Sequence, residues 1–494
     1  MTLFRSVARN MSILGASQIL MWLAAIAFTI AQATHLGPAG FGELSVALSY
    51  AGLLGVVIEF GLATQLTRLV AQRASRHEEA LAATMLINGA LWLLAIPLVV
   101  LATLLFGYSR ELRETILLLS VSVLFIGIAN TIAAYLQGRE QFFLPALASV
   151  AQRLAAAGVG IVMLLVRPEI TAVAGAFVVS GVVNIAVLLV GLRAHPRMPL
   201  RVDPHRAWDL FRRTVPLGMF GIAAMAYWSL DMIMLQRLAP AENVGWYAAA
   251  YRLFSIATIL PAVAVGIALA PVLSRLSVDS RSVLGAVIEK LSTFMIVSGT
   301  AAALVLILFA DRIIALVYPA HAYAESALAL RLLAPGLLFA YVNRVYAQSL
   351  VSLHQERRLF IMAAAAAVLN ALANFIVIPL FRENGAAITT SLTELFWLVC
   401  VVRLMPRDLL SSENARVATR TLLAAGATAI LLLPAQGLDL VVGLPLSLAL
   451  FAVLTVVLRA VSTSDLLALR ALVRPVRAET VPLTESPLPP GAAE

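Results

Sequence analysis

The stretch PLGMFGIAAMAYWSLDMIMLQRLAPAENVGWYAAAYRLFSIATILPAVAVGIALAP, Pro216 to Pro271, decides how this chain folds. It holds two apolar runs, each long enough to cross a bilayer, joined by the hydrophilic connector Arg237–Val244. One ionisable residue interrupts each run, Asp231 in the first and Arg252 in the second. The same layout occurs nearer the start, where an apolar run over residues 15–34 is followed by Leu36-Gly37-Pro38, Phe41-Gly42 and a second run to Ala63. Leu36 and Pro38 align with Leu238 and Pro240, and Phe41-Gly42 align with Val244-Gly245 after one inserted residue. The pattern is that of a duplicated membrane unit.

Working outward, 61% of the 494 residues are apolar and 12% charged, a composition outside the range of water-soluble domains. Fourteen segments of spanning length can be placed: 12–33, 42–64, 81–105, 115–136, 146–166, 171–192, 214–236, 246–270, 289–309, 327–350, 359–380, 385–404, 417–433 and 440–460. In lipid such segments must be helices, because backbone groups find no partner outside their own chain. With the N-terminus inside, 25 of the 35 basic residues fall in cytoplasmic segments, 7 in outer connectors, and Arg153, Arg252 and Arg344 lie within spans. That bias sets both termini on the cytoplasmic side. The net charge of +9 then reflects topology and gives no reason to expect nucleic acid as a partner.

The expected fold class is therefore all-α and integral to the membrane, with two pseudo-symmetric six-helix lobes. Residues 1–192 make the first lobe, 193–213 a basic cytoplasmic linker, 214–404 the second lobe, 405–460 two further helices, and 461–494 a cytoplasmic tail. Because six is even, the lobes enter the membrane in the same direction. The linker suits a hinge and equally suits an ordinary positive-inside loop, with a membrane-surface helix near Trp208–Phe211. Leu466–Arg477 reads as basic and amphipathic, and Thr480–Glu494 as too proline-rich and polar to pack. Arg5 and Arg9 before an apolar run resemble a signal peptide, but the run is too long for one and its removal would break the duplication. The single cysteine, Cys400, precludes an intrachain disulfide.

Three stretches resemble one family. LGPAGFGELSVALSYAGLLGVVIEFGLA (36–63), the Asp231 helix followed by VGWYAAAYRL (244–253), and LNALANFIVIPLFRENGAAITTSL (369–392) are similar to the polysaccharide flippases of the MOP superfamily. That superfamily also contains lipid II flippases and MATE drug antiporters. The resemblance covers roughly residues 10–460, and the two extra helices fit the fourteen-helix flippases better than the twelve-helix antiporters. It implies a transporter that moves an undecaprenyl-diphosphate-linked oligosaccharide from the inner to the outer leaflet of a bacterial cytoplasmic membrane, in O-antigen or exopolysaccharide synthesis. It further implies coupling to a proton or sodium gradient, no bound cofactor, and partnership with membrane lipids, a polysaccharide polymerase and a chain-length regulator. The alternatives are a lipid II flippase or a MATE-type cation antiporter, and at a distance a membrane-embedded glycosyltransferase or polymerase.

No soluble catalytic signature is present. His77-Glu78-Glu79 opens like a zinc-protease motif but has Leu81 where a second histidine is needed, and the short outer connectors leave no room for a catalytic domain. What remains is a set of polar residues inside spans, each costing at least about 2.5–3.5 kcal/mol at the bilayer centre unless partnered. At about 1.5 Å per residue, Asp231 lies some 8 Å and Arg252 some 10–12 Å from the outer surface, so the two can meet. Glu394, Asn370 and Asn374 fall near the midplane, the two asparagines on one helix face. Glu59 and Arg344 lie near the inner ends of their spans, and Arg153 a third of the way in.

Two readings stand for each. Glu59 and Arg344 fit snorkelling to the interface, the asparagines fit interhelical hydrogen bonding, and Asp231 with Arg252 fits a structural ion pair. Against the last, the duplication places Thr29 or its neighbour where Asp231 stands, so the charge marks one lobe only. Arg153, Arg252 and Arg344 at different depths also fit a cationic route for a diphosphate. The aromatic residues Tyr227, Trp228, Trp246, Tyr247 and Tyr251 read first as interfacial anchors. Topology reporters check the frame: fusions near Arg201 and after Arg477 should report the cytoplasm and one near Ala320 the outer side, and an outer signal at Arg201 would break the two-lobe parity.

Overall fold

The computed structural model describes residues 2–72, 77–192, 202–263, 270–432 and 439–461. Among them the regular structure is fifteen α-helices and one 3-10 turn, with no strand. The first long helix, α1 (Thr2–Glu59), holds two spans joined at Gly37, where φ is 64° and ψ −179°. Only glycine enters that backbone region without penalty, so Gly37-Pro38 reverses the chain in a single residue. A second break at Phe60-Gly61 (φ 40° and 74°) separates α2 (Leu62–Ala71) from the span the sequence expects to run to residue 64. Four spans follow: α3 (His77–Leu105), α4 (Arg110–Gly138), α5 (Phe143–Val166) and α6 (Ile170–Leu192). Ser109 caps α4 by accepting from the amide of Leu112 at 3.1 Å.

The next helix, α7 (Pro204–Leu238), starts with Asp203 as its N-cap and Pro204 in the first turn. The helix expected near Trp208–Phe211 is thus the first part of α7. Residues 204–213 are already helical, and 193–201 lie outside the described residues. The reason is packing: Leu210 is buried with Phe60, Leu62 and Ala83, Phe211 stacks on Phe60 at 5.3 Å, and Arg206 pairs with Glu79 at 2.9 Å. Trp208, its ring 5.6 Å from that of Phe211, is exposed. The chain continues through α8 (Ala241–Val263), α9 (Ala270–Asp279), α10 (Arg281–Val317), the one-turn α11 (Ala320–Tyr323) and α12 (Ser326–Ser352). Like α1, α13 (Glu356–Leu404) is two spans, broken at Arg382 (φ 52°, ψ −127°). The 3-10 turn Arg407–Leu409 leads to α14 (Ser412–Leu432) and α15 (Leu440–Val457). Pro434 and the tail beyond residue 461 lie outside the described residues.

Ten helical stretches among the described residues are long and apolar enough to cross a membrane, and an eleventh, α7, counts as a bent pair at residues 219–221. Two of the ten, Met21–Ala71 and Glu356–Leu404, have 51 and 49 residues, about twice the ~20 that one crossing needs. This is a multi-pass membrane protein. Large apolar side chains such as Leu94, Leu105, Phe143, Val166 and Phe375 are exposed, as a lipid-facing surface requires.

Helices α4, α5 and α6 pack on one another and on α1, while α10, α12 and α13 form a second group with α7 and α8. α1 lies against both α7 and α8, joining the groups. Three helices end in the same local geometry. After α4 the amides of Arg139, Glu140 and Gln141 bond to the carbonyls of Leu136, Gln137 and Leu136, with Glu140 at φ 64°. After α12 the amides of Leu353, His354 and Gln355 bond to Leu350, Val351 and Leu350, with His354 at φ 57°. The same turn closes α15, where the amides of Arg459 and Ala460 bond to the carbonyls of Val456 and Thr455, with Arg459 at φ 54°.

The last two helices pack on α10, where Leu304 is buried with Ala424 and Phe451. On the approach to them, the Arg281 guanidinium, 2.5 Å from Asp408, holds that carboxyl below the usual carboxylate range; being exposed, the pair contributes little. A chain truncated after Leu410 should therefore insert and elute as a single species in detergent. Aggregation of that truncation on size-exclusion chromatography would show that α14 and α15 are needed for folding.

Candidate functional site

Asp231 sits in the apolar run of α7 and is 3% exposed. A carboxylate there is tolerable only with donors around it. One oxygen accepts from the amide of Met232 at 2.8 Å, and the other accepts a short hydrogen bond from the Tyr247 hydroxyl of α8. The Tyr247 oxygen lies 3.0 Å from Oγ1 of Thr390 on α13, whose hydroxyl also reaches the carbonyl of Ala386 at 2.9 Å. Two rotatable hydroxyls in series can point toward an ionised Asp231 or away from a protonated one, so the site satisfies its hydrogen bonds in both states. Thus α7, α8 and α13 meet at one carboxyl group.

A second buried carboxylate lies in the same half of the protein. Glu394 of α13, 6% exposed, accepts from the Tyr227 hydroxyl and from Nδ2 of Asn343, each at 2.8 Å. The same Asn343 nitrogen reaches the Glu394 carbonyl at 3.1 Å. Asn374 donates to Oδ1 of Asn370 at 2.9 Å, and Asn370 to Oγ1 of Thr393 at 3.1 Å. Among the described residues Oδ1 of Asn343 and Asn374 and Oγ1 of Thr389 are buried without a hydrogen-bond partner. The unsatisfied Asn343 oxygen, on the side chain that donates to Glu394, suits a small cation or a proton there. No cluster of three or more His, Cys, Asp or Glu side chains that could hold a metal occurs among the described residues.

Tyr227, Trp228, Asn343, Arg344, Glu394 and Trp397 line a cavity of about 300 Å³ next to these groups. Tyr227 meets Trp228 edge-on at 5.6 Å, and Tyr251 stacks on Tyr247 at 5.5 Å. Arg344 is exposed to the cavity with Glu394 nearby.

Of the residues singled out in the sequence, Asp231, Glu394, Asn370, Asn374 and Arg344 are thus gathered in one half. The others are not. Arg252 does not pair with Asp231, contrary to the depth argument: the Tyr247 hydroxyl takes that carboxylate, and Arg252 is exposed on the side of α8 near Tyr318. Two residues at equal depth on antiparallel helices need not share a face. Glu59 accepts a short hydrogen bond from Asn130 and lines a separate apolar cavity of about 290 Å³ with Gly52 and Gly55. Arg153 is exposed on α5, beside Gln152, which accepts from Asn184 at 2.8 Å. Arg344 faces the cavity, so the snorkelling reading does not describe it. Tyr227 and Tyr247, expected as interfacial anchors, instead hold the two carboxylates, and they, Asn343 and Thr390 take their roles from partners 16 to 167 residues away.

Residues 7–277, more than half of the chain, match the sequence model of a family described as polysaccharide biosynthesis protein. The chain belongs to that family. Residues 216–376 also match the model described as MatE. Among solved structures, the chain is similar to a lipid II flippase, MurJ, in an inward closed conformation, with TM-score 0.72 and 15% identity over 94% of this chain and 100% of that one. It is similar to an inward-facing multidrug resistance MATE family transporter of the MOP superfamily, with TM-score 0.65 and 14% identity over 78% and 92%. The bent form of the Vibrio cholerae MATE transporter VcmN gives 0.52 and 13% over 83% and 98%. A search of curated proteins returned no match. This member of the polysaccharide biosynthesis family has the MOP fold, and its family and fold neighbours are flippases and transporters.

Replacing Tyr247 with Phe removes a donor and leaves Asp231 with one backbone amide, which costs about 1–3 kcal/mol for a buried acceptor. Tyr247→Phe should lower the detergent melting temperature, and Tyr247→Phe with Asp231→Asn should recover part of the loss. An unchanged melting temperature in the single variant would show that Tyr247 does not hold the carboxylate.

Proposed function

We propose that this MOP-superfamily transporter flips an undecaprenyl-diphosphate-linked oligosaccharide from the cytoplasmic to the outer leaflet of a bacterial inner membrane, by alternating access between its two halves. The observation that carries the cargo reading is Arg344 on the wall of a cavity that also presents Trp228, Trp397 and Tyr227. A guanidinium offers paired donors to phosphate or carboxylate oxygens, and aromatic faces accept the apolar faces of sugar rings. At about 300 Å³ the cavity takes a headgroup fragment, with lipid chains left between helices. Arg252 and Arg153, exposed at other depths, serve as further stations for the anion.

Asp231, held by Tyr247, supplies the coupling site in this reading. A proton or sodium ion there changes the charge at the junction of α7, α8 and α13, which is the differential interaction that alternation needs. The polymerase and the chain-length regulator that the resemblance implies would receive the product at the outer leaflet. A second reading, a cation antiporter of the MATE type, is favoured by Asp231 and Glu394 lying buried in one half. There the two carboxylates bind the cargo cation and Arg344 has no cargo role.

Export separates the two. Arg344→Ala should reduce outer-leaflet appearance of lipid-linked repeat units by about 10- to 100-fold, the equivalent of one charge-assisted contact, with repeat units accumulating on the cytoplasmic face. Asp231→Asn should insert normally and stop export. Normal export in both variants, with loss of cation efflux in Asp231→Asn, would replace the flippase with the antiporter.

A further inference from the structure

The sequence duplication and the helix packing converge on one contact that neither cavity involves. Gly42, just after the Gly37 break in α1, lies against the first turn of α8: a Cβ built there would meet the Ala241 carbonyl oxygen and the Gly245 amide nitrogen, each at 2.6 Å. Gly245 returns the contact, since its Cβ would meet the Pro38 carbonyl oxygen at 1.9 Å. Gly42 and Gly245 align in the repeat, and each meets backbone of the connector that precedes the other, Ala241 in one direction and Pro38 in the other. The contact is isologous, like the interface of a two-fold dimer, but within one chain. Both helices offer backbone here, and any side chain at either glycine would drive them apart.

Around the crossing the packing is dense. Phe41 packs 6.1 Å from each of Tyr318 and Tyr323, whose rings are 5.2 Å apart, and the Tyr323 hydroxyl donates to the Ala33 carbonyl at 3.1 Å. The arginine distribution places these connectors on the outer side. One turn of α8 also ties the crossing to the rest of the second half. Asn243 donates to the buried Glu383 at the α13 break, Gly245 meets Pro38, and Tyr247 holds Asp231. On the inner side the halves meet differently, through the Phe60–Phe211 stack and the Arg206–Glu79 pair.

We propose that the Gly42–Gly245 crossing is the outer gate of the transport path, a pair of symmetry-related glycines that must separate for the path to open outward. The same α8 turn links it to Asp231, so a change in the carboxyl's partner is felt two residues away at the gate. This rests on the alternating-access reading above and assigns its outer closure to named residues.

The test uses the full chain in a Cys400→Ala background with a reporter cysteine at Ala224, which lines the first cavity. Labelling by a membrane-impermeant maleimide added from the outer face should be low in the parent and rise several-fold in both Gly42→Ala and Gly245→Ala. Gly158→Ala, whose Cβ would meet nothing within 4 Å, should leave it low. Unchanged labelling in both gate variants, or an equal rise in Gly158→Ala, would overturn the proposal. Should neither gate variant insert, spin labels at Ala39→Cys and Glu242→Cys, both exposed and flanking the intact glycines, decide the matter. A short and a long distance population support a gate, and a single short distance with or without a proton or sodium gradient overturns it. Labelling does not depend on cargo, so the two readings fail separately. A rise in labelling in the glycine variants with normal glycan export in Arg344→Ala and Asp231→Asn keeps the gate and removes the flippase, whereas export lost in Asp231→Asn with labelling unmoved by the glycines does the reverse.

Discussion

A carboxylate inside a helix bundle in lipid has to be met by donors from its own protein, and Asp231 is met by a tyrosine hydroxyl from the neighbouring helix. That single requirement fixes much of the second half. Tyr247 must face α7, which sets the rotation of α8; Thr390 must face Tyr247, which sets the second half of α13. Glu394, one turn further along α13, is then presented to Tyr227 and Asn343 and brings α12 into the same arrangement. Both carboxylates are matched by donors, and the matching orients four helices.

The first half follows another rule. Its helices meet largely through apolar and small residues, with isolated pairs such as Asn88 to Thr131 at 2.8 Å and Glu59 to Asn130. Close approach is achieved at glycines, as where Gly160 faces the ring of Phe28 and Gly181 faces Phe125. Asp231 and Glu394, with their tyrosine and asparagine donors, lie in the second half, whereas the first half carries Glu59 against Asn130.

Membership of the polysaccharide biosynthesis family and the MOP fold constrain what the geometry can mean. Within that constraint the cavity residues narrow the cargo by charge and shape. The same carboxylates that fit ion coupling in a flippase also fit cation binding in an antiporter, so the guanidinium of Arg344 and the neighbouring aromatics carry the distinction.

The sequence by itself determined the all-α, multi-pass membrane fold class, because this follows from local composition integrated over about 20 residues and from the cost of exposing backbone to lipid. The LGP and LAP connectors were legible as turns for the same local reason. It also singled out Asp231, Glu394 and the two asparagines, since a polar residue in an apolar run stands out wherever it points. Only the tertiary structure decided their partners. Depth along a helix can be counted, but rotation about its axis is set by packing against neighbours, and so Tyr247 rather than Arg252 faces Asp231. For the same reason Arg344 turned out to line a cavity, and the N-terminal part of α7 was pulled from the expected linker onto α2 and α3 by Leu210, Phe211 and Arg206. The approach of Gly42 to Gly245 lay in the repeat all along, but a contact between equivalent residues of two copies exists only once the copies are folded against each other.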